Sequence, residues 1–312
     1  MNWRYKAMLQ LGFSVMPLGE QLNHFFQRHV AKSLPLSDAT FANIASTAKE
    51  HIDGVQRHLK LPFKEATFYE FGAGWDLTIP LAFYALGVQR QIVADIRFLL
   101  RPKEVNDPIL KFQRVPLTLG PLRKPDRLLE GDRCLLHTLK EYYGIEYKAP
   151  CDARDTGLAS SSVDCITSTS TLEHIPQRDL LAVLSECHRL LNDDGVISFR
   201  NYYDDHYSYF DRHISRYNFL RYSDRQWAVF SPKMHYQNRL RHRDYLDLFR
   251  AAGFETVEER RTDGTSSDLE TIERLPLDKR FGGYSTAEMA VHDALIVLQK
   301  SSIADRPAYR GE

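Results

Sequence analysis

The segment that most limits what this chain can fold into is Thr67-Phe-Tyr-Glu-Phe71, an apolar run that passes directly into Gly72-Ala-Gly74 and then into the helical pattern Leu77 to Leu86. A buried strand, a glycine turn and a helix, in that order, make the first unit of a parallel α/β sheet. Glycines in the turn let backbone N–H groups approach a ligand closely, and the positive end of the following helix attracts an anionic group. The run Gln91-Ile-Val-Ala supplies a second fixed point by ending in Asp95, 21 residues beyond Gly74. That is close to the roughly 20 at which an acid at the next strand's end can hold ribose hydroxyls. The glycines alone fit a tight structural turn equally well, but glycines and acid together point to an adenosine-containing cofactor.

The alternation continues along the chain. Tyr147 to Asp152, Val163 to Ser168 and Val196 to Asn201 read as strands. Between the last two lies a long helix starting near Pro176, with Leu180, Leu181, Val183, Leu184 and Leu190 as its packing face and Asn192-Asp-Asp-Gly195 as its stop. A helix from Arg243 to Ala252, ended by Gly253, precedes strands Phe254 to Arg260 and Ala294 to Gln299. The pattern predicts an α/β fold: a doubly wound, mainly parallel sheet of seven strands in one elaborated domain.

Residues 1–62 read as a helical N-terminal extension, with Leu22, Phe25, Phe26 and Val30 on one face and a second helical segment from Phe41 to Leu59. Residues 63–300 form the core domain, and residues 301–312 a polar C-terminal tail. Two long inserts exceed the minimal pattern: residues 97–146, rich in Pro and Arg, and residues 204–239, rich in Tyr, His and Arg. Such segments usually carry function or local structure, and they are expected to cover a substrate bound at the carboxyl ends of the strands.

Lys plus Arg equals Asp plus Glu at 41 each, so no global positive field favours a nucleic-acid partner. Cys134, Cys151, Cys165 and Cys187 show no metal-ligand spacing, no metal array is legible, and no secretory leader with a cleavage site is seen. Reduced thiols in a cytoplasm fit these features. The apolar stretch Ala7 to Leu18 is broken by Gln10 and Pro17 and falls short of the about 20 residues of a transmembrane span.

The glycine turn and Asp95 belong to a longer array. Cys151-Asp152-Ala153 follows the third strand, and Thr171-Leu172-Glu173-His174-Ile175 follows the fourth. Here the chain resembles the class I S-adenosylmethionine-dependent methyltransferases, over about Thr67 to Lys300 apart from the two inserts. The resemblance implies a Rossmann-like fold with S-adenosyl-L-methionine as cofactor. It places Gly72, Ala73 and Gly74 beside the methionine part, Asp95 and Ile96 at the ribose, and Asp152 with Ala153 at the adenine edge. It also puts Glu70 in support of the glycine turn, and adds Thr169 and Glu173, at the end of the fourth strand, to the cofactor-binding set. The chain departs from the family at Asp76, where the third motif glycine is expected. Two accounts stay open: Asp76 caps the helix and accepts from the cofactor's amino group, or it crowds the methionine carboxylate.

Methyl transfer from a sulfonium is an in-line displacement, so alignment matters most and a base is needed only for a poor nucleophile. His174 is the first base candidate because the fourth strand's end faces the transferable methyl in this family, with a structural role as the alternative. The second insert adds His213 and Tyr217, beside Tyr202, Tyr203, His206, Arg216, His235, Tyr236 and Arg239. Tyr and Arg in these numbers can bind a polar acceptor. The expected activity is O-methylation of a small-molecule or saccharide acceptor. A non-catalytic binding module of the same fold is the alternative. An NAD(P)-dependent oxidoreductase ranks lower, since Leu77 stands where G-x-G-x-x-G needs its last glycine. The N-terminal helices either cap the site or form a homodimer contact.

Overall fold

The computed structural model describes residues 2–15, 35–120, 123–131, 134–232 and 235–301. The predicted face Leu22, Phe25, Phe26 and Val30 lies outside these, as does nearly all of the C-terminal tail. Seven strands form one sheet: β1 (Thr67–Phe71), β2 (Arg90–Ala94), β3 (Ile145–Lys148), β4 (Val163–Thr169), β5 (Leu191–Tyr202), β6 (Phe254–Thr262) and β7 (Asp293–Lys300). Their order across the sheet is β3-β2-β1-β4-β5-β7-β6. All pairings are parallel except those of β7, which runs antiparallel to both β5 and β6. The order reverses between β1 and β4, and a crevice opens at the carboxyl ends of the strands at such a point.

Burial explains the strands. β1 is buried over Phe68 to Phe71, and β7 over Ala294 to Leu298, as expected of strands covered on both faces. The long helix that precedes β1, Asp38–His58, buries Phe41, Ala45, Ala48, Ile52 and Val55, a stripe at alternating spacings of four and three. It approaches the sheet so closely at Gly54 that a Cβ there would stand 2.9 Å from Val297.

Several element bounds differ from the sequence expectation. β3 ends at Lys148 rather than Asp152, so Cys151 and Asp152 belong to the loop beyond it. β5 starts at Leu191: Asn192-Asp-Asp-Gly195 is a register shift inside a strand, since Val163 pairs with Leu191 and Cys165 with Val196. Pro176 is the residue before the helix Gln177–Leu190 and not part of its first turn.

The first insert is largely the β2-to-β3 crossover that a parallel pair requires. It contains the helices Pro102–Arg114 and Leu135–Tyr143, and its last two residues already belong to β3. The second insert holds short turns and the helix Asp224–Phe230. Its Tyr207, Tyr217, Phe219, Leu220 and Trp227 share a core with Ile272, Phe281, Met289 and Ala290 from the segment between β6 and β7, and with Trp3 and Ala7 of the helix Trp3–Val15. The first helix therefore packs on the second insert. Among the described residues no helix is long and apolar enough to cross a membrane.

Candidate active site

The turn after β1 takes the conformation its glycines permit. Gly72 and Gly74 have φ of +76° and +74°, and Gly72 N–H donates to Ala94 O at 2.9 Å, joining the turn to the end of β2. Asp95 follows directly and is buried. Burial raises its pKa, opposed by backbone N–H groups of Arg97, Gly74 and Ile96 that face its carboxylate. The acid is thus fixed at the lip of the glycine turn. The Asp95 carbonyl also accepts from Cys151 N–H at 2.8 Å, which draws the Asp152 loop alongside. Ile96 is 62% exposed.

Asp76 accepts from both the N–H and the hydroxyl of Thr78, at 2.9 and 2.7 Å. It therefore satisfies an orphan donor at the start of the helix Thr78–Leu86 from one position before the geometric cap, Leu77, whose φ is 56°. The capping part of the sequence expectation is met. Glu70 is buried, accepts from Thr167 Oγ1 at 3.4 Å, and is pushed up to about 8 by burial.

Asp152 is held by Arg154, whose Nε and Nη2 reach its carboxylate at 3.0 and 2.7 Å and whose Nη1 reaches Asp179 at 3.0 Å. These bonds hold the Asp152 pKa low, and Ala153 packs against the sheet's second core beside them.

At the end of β4, Thr169 Oγ1 is 3.1 Å from Nε2 of His51, whose Nδ1 is 2.8 Å from Ser198 Oγ on β5. Thr171 Oγ1 donates to Gly72 O at 3.3 Å and to Thr169 O at 3.1 Å, which clamps this loop onto the glycine turn. The Leu172-Glu173-His174 turn is held from the second insert: Asn238 Nδ2 donates to Leu172 O and Ile175 O, and Asn238 N–H to Glu173 O. His174 Nδ1 donates to Tyr236 O at 2.7 Å. The sequence did not single out His51 or Asn238, and it quoted Thr171 only as the start of the motif after the fourth strand; each acts across the fold, through contacts that no local pattern marks.

Glu173 is fully enclosed and pushed up to about 8 by burial, with only partial relief from the amides of Glu173 and Tyr202. The His174 ring is reached by solvent yet crowded by protein, the setting of a cleft wall, and burial lowers its pKa. Its ring centroid lies 5.0 Å from that of His206, on which Tyr209 stacks at 5.5 Å. Glu173, His174 and His206, which no spacing in the sequence groups together, each offer a ligand atom within 4.8 Å of the others. His206 comes from the turn after β5, a pairing that chain spacing does not reveal. Lys6 of the first helix, buried and pushed down to about 7, stands near His206 and His235.

The other two predicted catalytic residues are placed elsewhere. His213 is exposed on a turn. Tyr217 is buried in the core that the second insert shares with the segment before β7, its hydroxyl 3.3 Å from Ala290 O and 3.1 Å from His292 Nε2. Neither has a ring contact or hydrogen bond to His174 among the described residues. A cleft of about 450 Å³ lined by His242, Arg261 and Glu288, among others, shares no residue with the glycine turn or the β4 end.

The model of the family described as "Methyltransferase domain" matches residues 45–259, well over half of the chain, and the chain belongs to that family. S-adenosylmethionine is the cofactor the family implies. The residues fit it: the two left-handed glycines leave open space beside Gly74, and Asp95 is fixed at its edge. No curated protein matches the sequence. Solved structures with a similar chain path include a 1,6-didemethyltoxoflavin-N1-methyltransferase from Burkholderia thailandensis, 12% identical, with a TM-score of 0.47 over 96% of this chain and 90% of that one. A geranyl diphosphate C-methyltransferase from Streptomyces coelicolor is 12% identical, with a TM-score of 0.43 over 86% and 84%. A SAM-dependent methyltransferase from Archaeoglobus fulgidus is 11% identical, with a TM-score of 0.43 over 82% and 94%.

Proposed function

We propose that this protein is an S-adenosylmethionine-dependent methyltransferase whose acceptor is a small molecule or saccharide, methylated on oxygen. The carrying observation is the Asp95 carboxylate, held at the lip of the glycine turn by the backbone N–H groups of Gly74, Ile96 and Arg97. Pre-oriented in this way, it can accept from two ribose hydroxyls without reorganising. Gly72, Ala73 and Gly74 would line the methionine part, Asp76 would face its amino group, and Asp152, Ala153 and Ile96 would border the adenosine. Glu70 supports the turn through Thr167 on β4, and His51 holds Thr169 in place. When bound, the cofactor supplies an electrophilic methyl group on a sulfonium.

The acceptor side is formed by the β4 end and the second insert, where His174, His206, Tyr202 and Tyr209 gather. Arg216 and Asp204 pair at 3.4 Å beside them. Hydroxyls, imidazoles and an ion pair suit a hydroxylated acceptor, and the balanced charge of 41 against 41 offers nothing to a phosphate backbone.

Calorimetric titration with S-adenosylhomocysteine tests this reading. The parent is expected to bind, and Asp95→Ala to bind about tenfold to a hundredfold more weakly, the equivalent of about 1.5–3 kcal/mol for hydrogen bonds to a charged group. Equal affinity in parent and variant would overturn the site. A well-folded parent that binds no methionine-derived ligand would leave the non-catalytic module as the reading.

A further inference from the structure

The β4 end holds a buried acid, Glu173, that the sequence reading gave to the cofactor and whose surroundings suit a different ligand. Glu173 is 2% exposed, and neither carboxylate oxygen makes a well-formed hydrogen bond among the described residues, the amides of Glu173 and Tyr202 giving only partial relief. An enclosed carboxylate so weakly compensated is costly, and such groups are retained where something else binds them. Its companions are two imidazoles, with one ligand atom from each of Glu173, His174 and His206 lying within 4.8 Å of the others.

The tautomer of His174 is fixed. A carbonyl can only accept, so the 2.7 Å contact with Tyr236 O puts the proton on Nδ1 and leaves the lone pair on Nε2. Metal-bound imidazoles characteristically hold their other N–H on a carbonyl or carboxylate in this manner. His235 lies alongside, its ring centroid 6.3 Å from that of His206 and its buried Nε2 without a partner among the described residues.

We propose that Glu173, His174 and His206 form a binding site for a divalent transition-metal ion of the zinc class. Two imidazoles and one carboxylate suit such a cation, whereas Mg²⁺ and Ca²⁺ favour oxygen donors throughout. With bonds of roughly 2.0–2.1 Å, tetrahedral ligand atoms stand about 3.3 Å apart. Closing the set from 4.8 Å asks for side-chain shifts on the order of an ångström. Three protein ligands leave a fourth position for water or an acceptor oxygen. An ion there would orient and polarise that oxygen and would replace the base expected at His174. This role rests on the methyltransferase reading; the binding of the ion does not.

The full chain, stripped with a chelator, is titrated with Co²⁺ and then with Zn²⁺. One equivalent of Co²⁺ with visible d–d absorption, displaced by Zn²⁺, is expected in the parent and in the exposed-surface control His137→Gln. Glu173→Gln and His206→Gln are expected to bind at least about tenfold more weakly. Zn²⁺ is also expected to raise the melting temperature of the parent but not of Glu173→Gln, whose fold is checked by circular dichroism. Absence of Co²⁺ binding by folded parent, or undiminished binding in both variants, overturns the proposal. S-adenosylhomocysteine titrated into the same samples separates the two readings: binding without cobalt sinks the ion site alone, and cobalt without that ligand sinks the cofactor assignment alone.

Discussion

A Cβ built at Gly72 would stand 2.4 Å from Cγ2 and Oγ1 of Thr171, while one at Gly74 would meet nothing within 4 Å, although φ is positive at both. Gly72→Ala therefore carries a left-handed penalty of about 1–2 kcal/mol and an overpacking cost of roughly 1–3 kcal/mol against a neighbour that holds Gly72 O and Thr169 O. Its urea midpoint is expected to fall clearly. Gly74→Ala carries only the backbone penalty, but its methyl enters the space beside Asp95. Its affinity for S-adenosylhomocysteine is expected to drop at least tenfold while stability falls by only about 1–2 kcal/mol. Unchanged affinity in Gly74→Ala would show that this space is not the ligand's. Both glycines were legible in the sequence because a strand and a helix flank them. The reason for Gly72 was not, because Thr171 lies 99 residues away.

At the scale of elements, the helix Trp3–Val15 is tied to the second insert. Trp3 packs on Tyr207, Tyr222 and Phe230 with centroids 5.3, 5.9 and 4.8 Å away, and its backbone N–H donates to Asp211 Oδ2 at 2.9 Å. Trp3→Ala removes a buried ring worth about 3–5 kcal/mol in packing. Because those contacts end in the second insert, the loss is expected there. Hydrogen exchange should quicken over residues 206–231 and stay slow in β1, β2 and β4; uniform quickening would show that the insert and the sheet open as one unit. The strands themselves were legible from their apolar runs. The crossover between β2 and β3 was read as an insert because its Pro- and Arg-rich composition masks its helical pattern, and its first helix runs on through Pro108. The docking of the first helix was not legible, since an apolar face shows that a helix packs but not on what.

At the scale of the whole molecule, acid stability is decided by buried groups whose protonation differs between folded and unfolded chains. His51 joins the helix Asp38–His58 to β4 and β5 through Thr169 and Ser198, with Phe83 against its ring. Burial first, and then the charge of Arg200, push its pKa down to about 3. Arg200 is itself paired with Glu50 and Asp293. The folded chain keeps His51 neutral where the unfolded chain binds a proton, so its contribution is complete above about pH 6.5 and is lost as pH falls toward 3. Within that window each pH unit removes up to about 1.4 kcal/mol. Glu70, pushed up to about 8, acts oppositely: folding takes up its proton, so its contribution is present at low pH and fades between about 4.5 and 8. The total slope mixes these terms, and a difference between variants separates them. His51→Gln keeps a polar group that can meet Ser198 but cannot titrate. At pH 7.5 it is expected to melt below the parent, and the gap should narrow steadily down to pH 4.5. A gap that stays constant would mean that His51 takes up its proton equally in the folded and unfolded chains and is not held neutral by its burial.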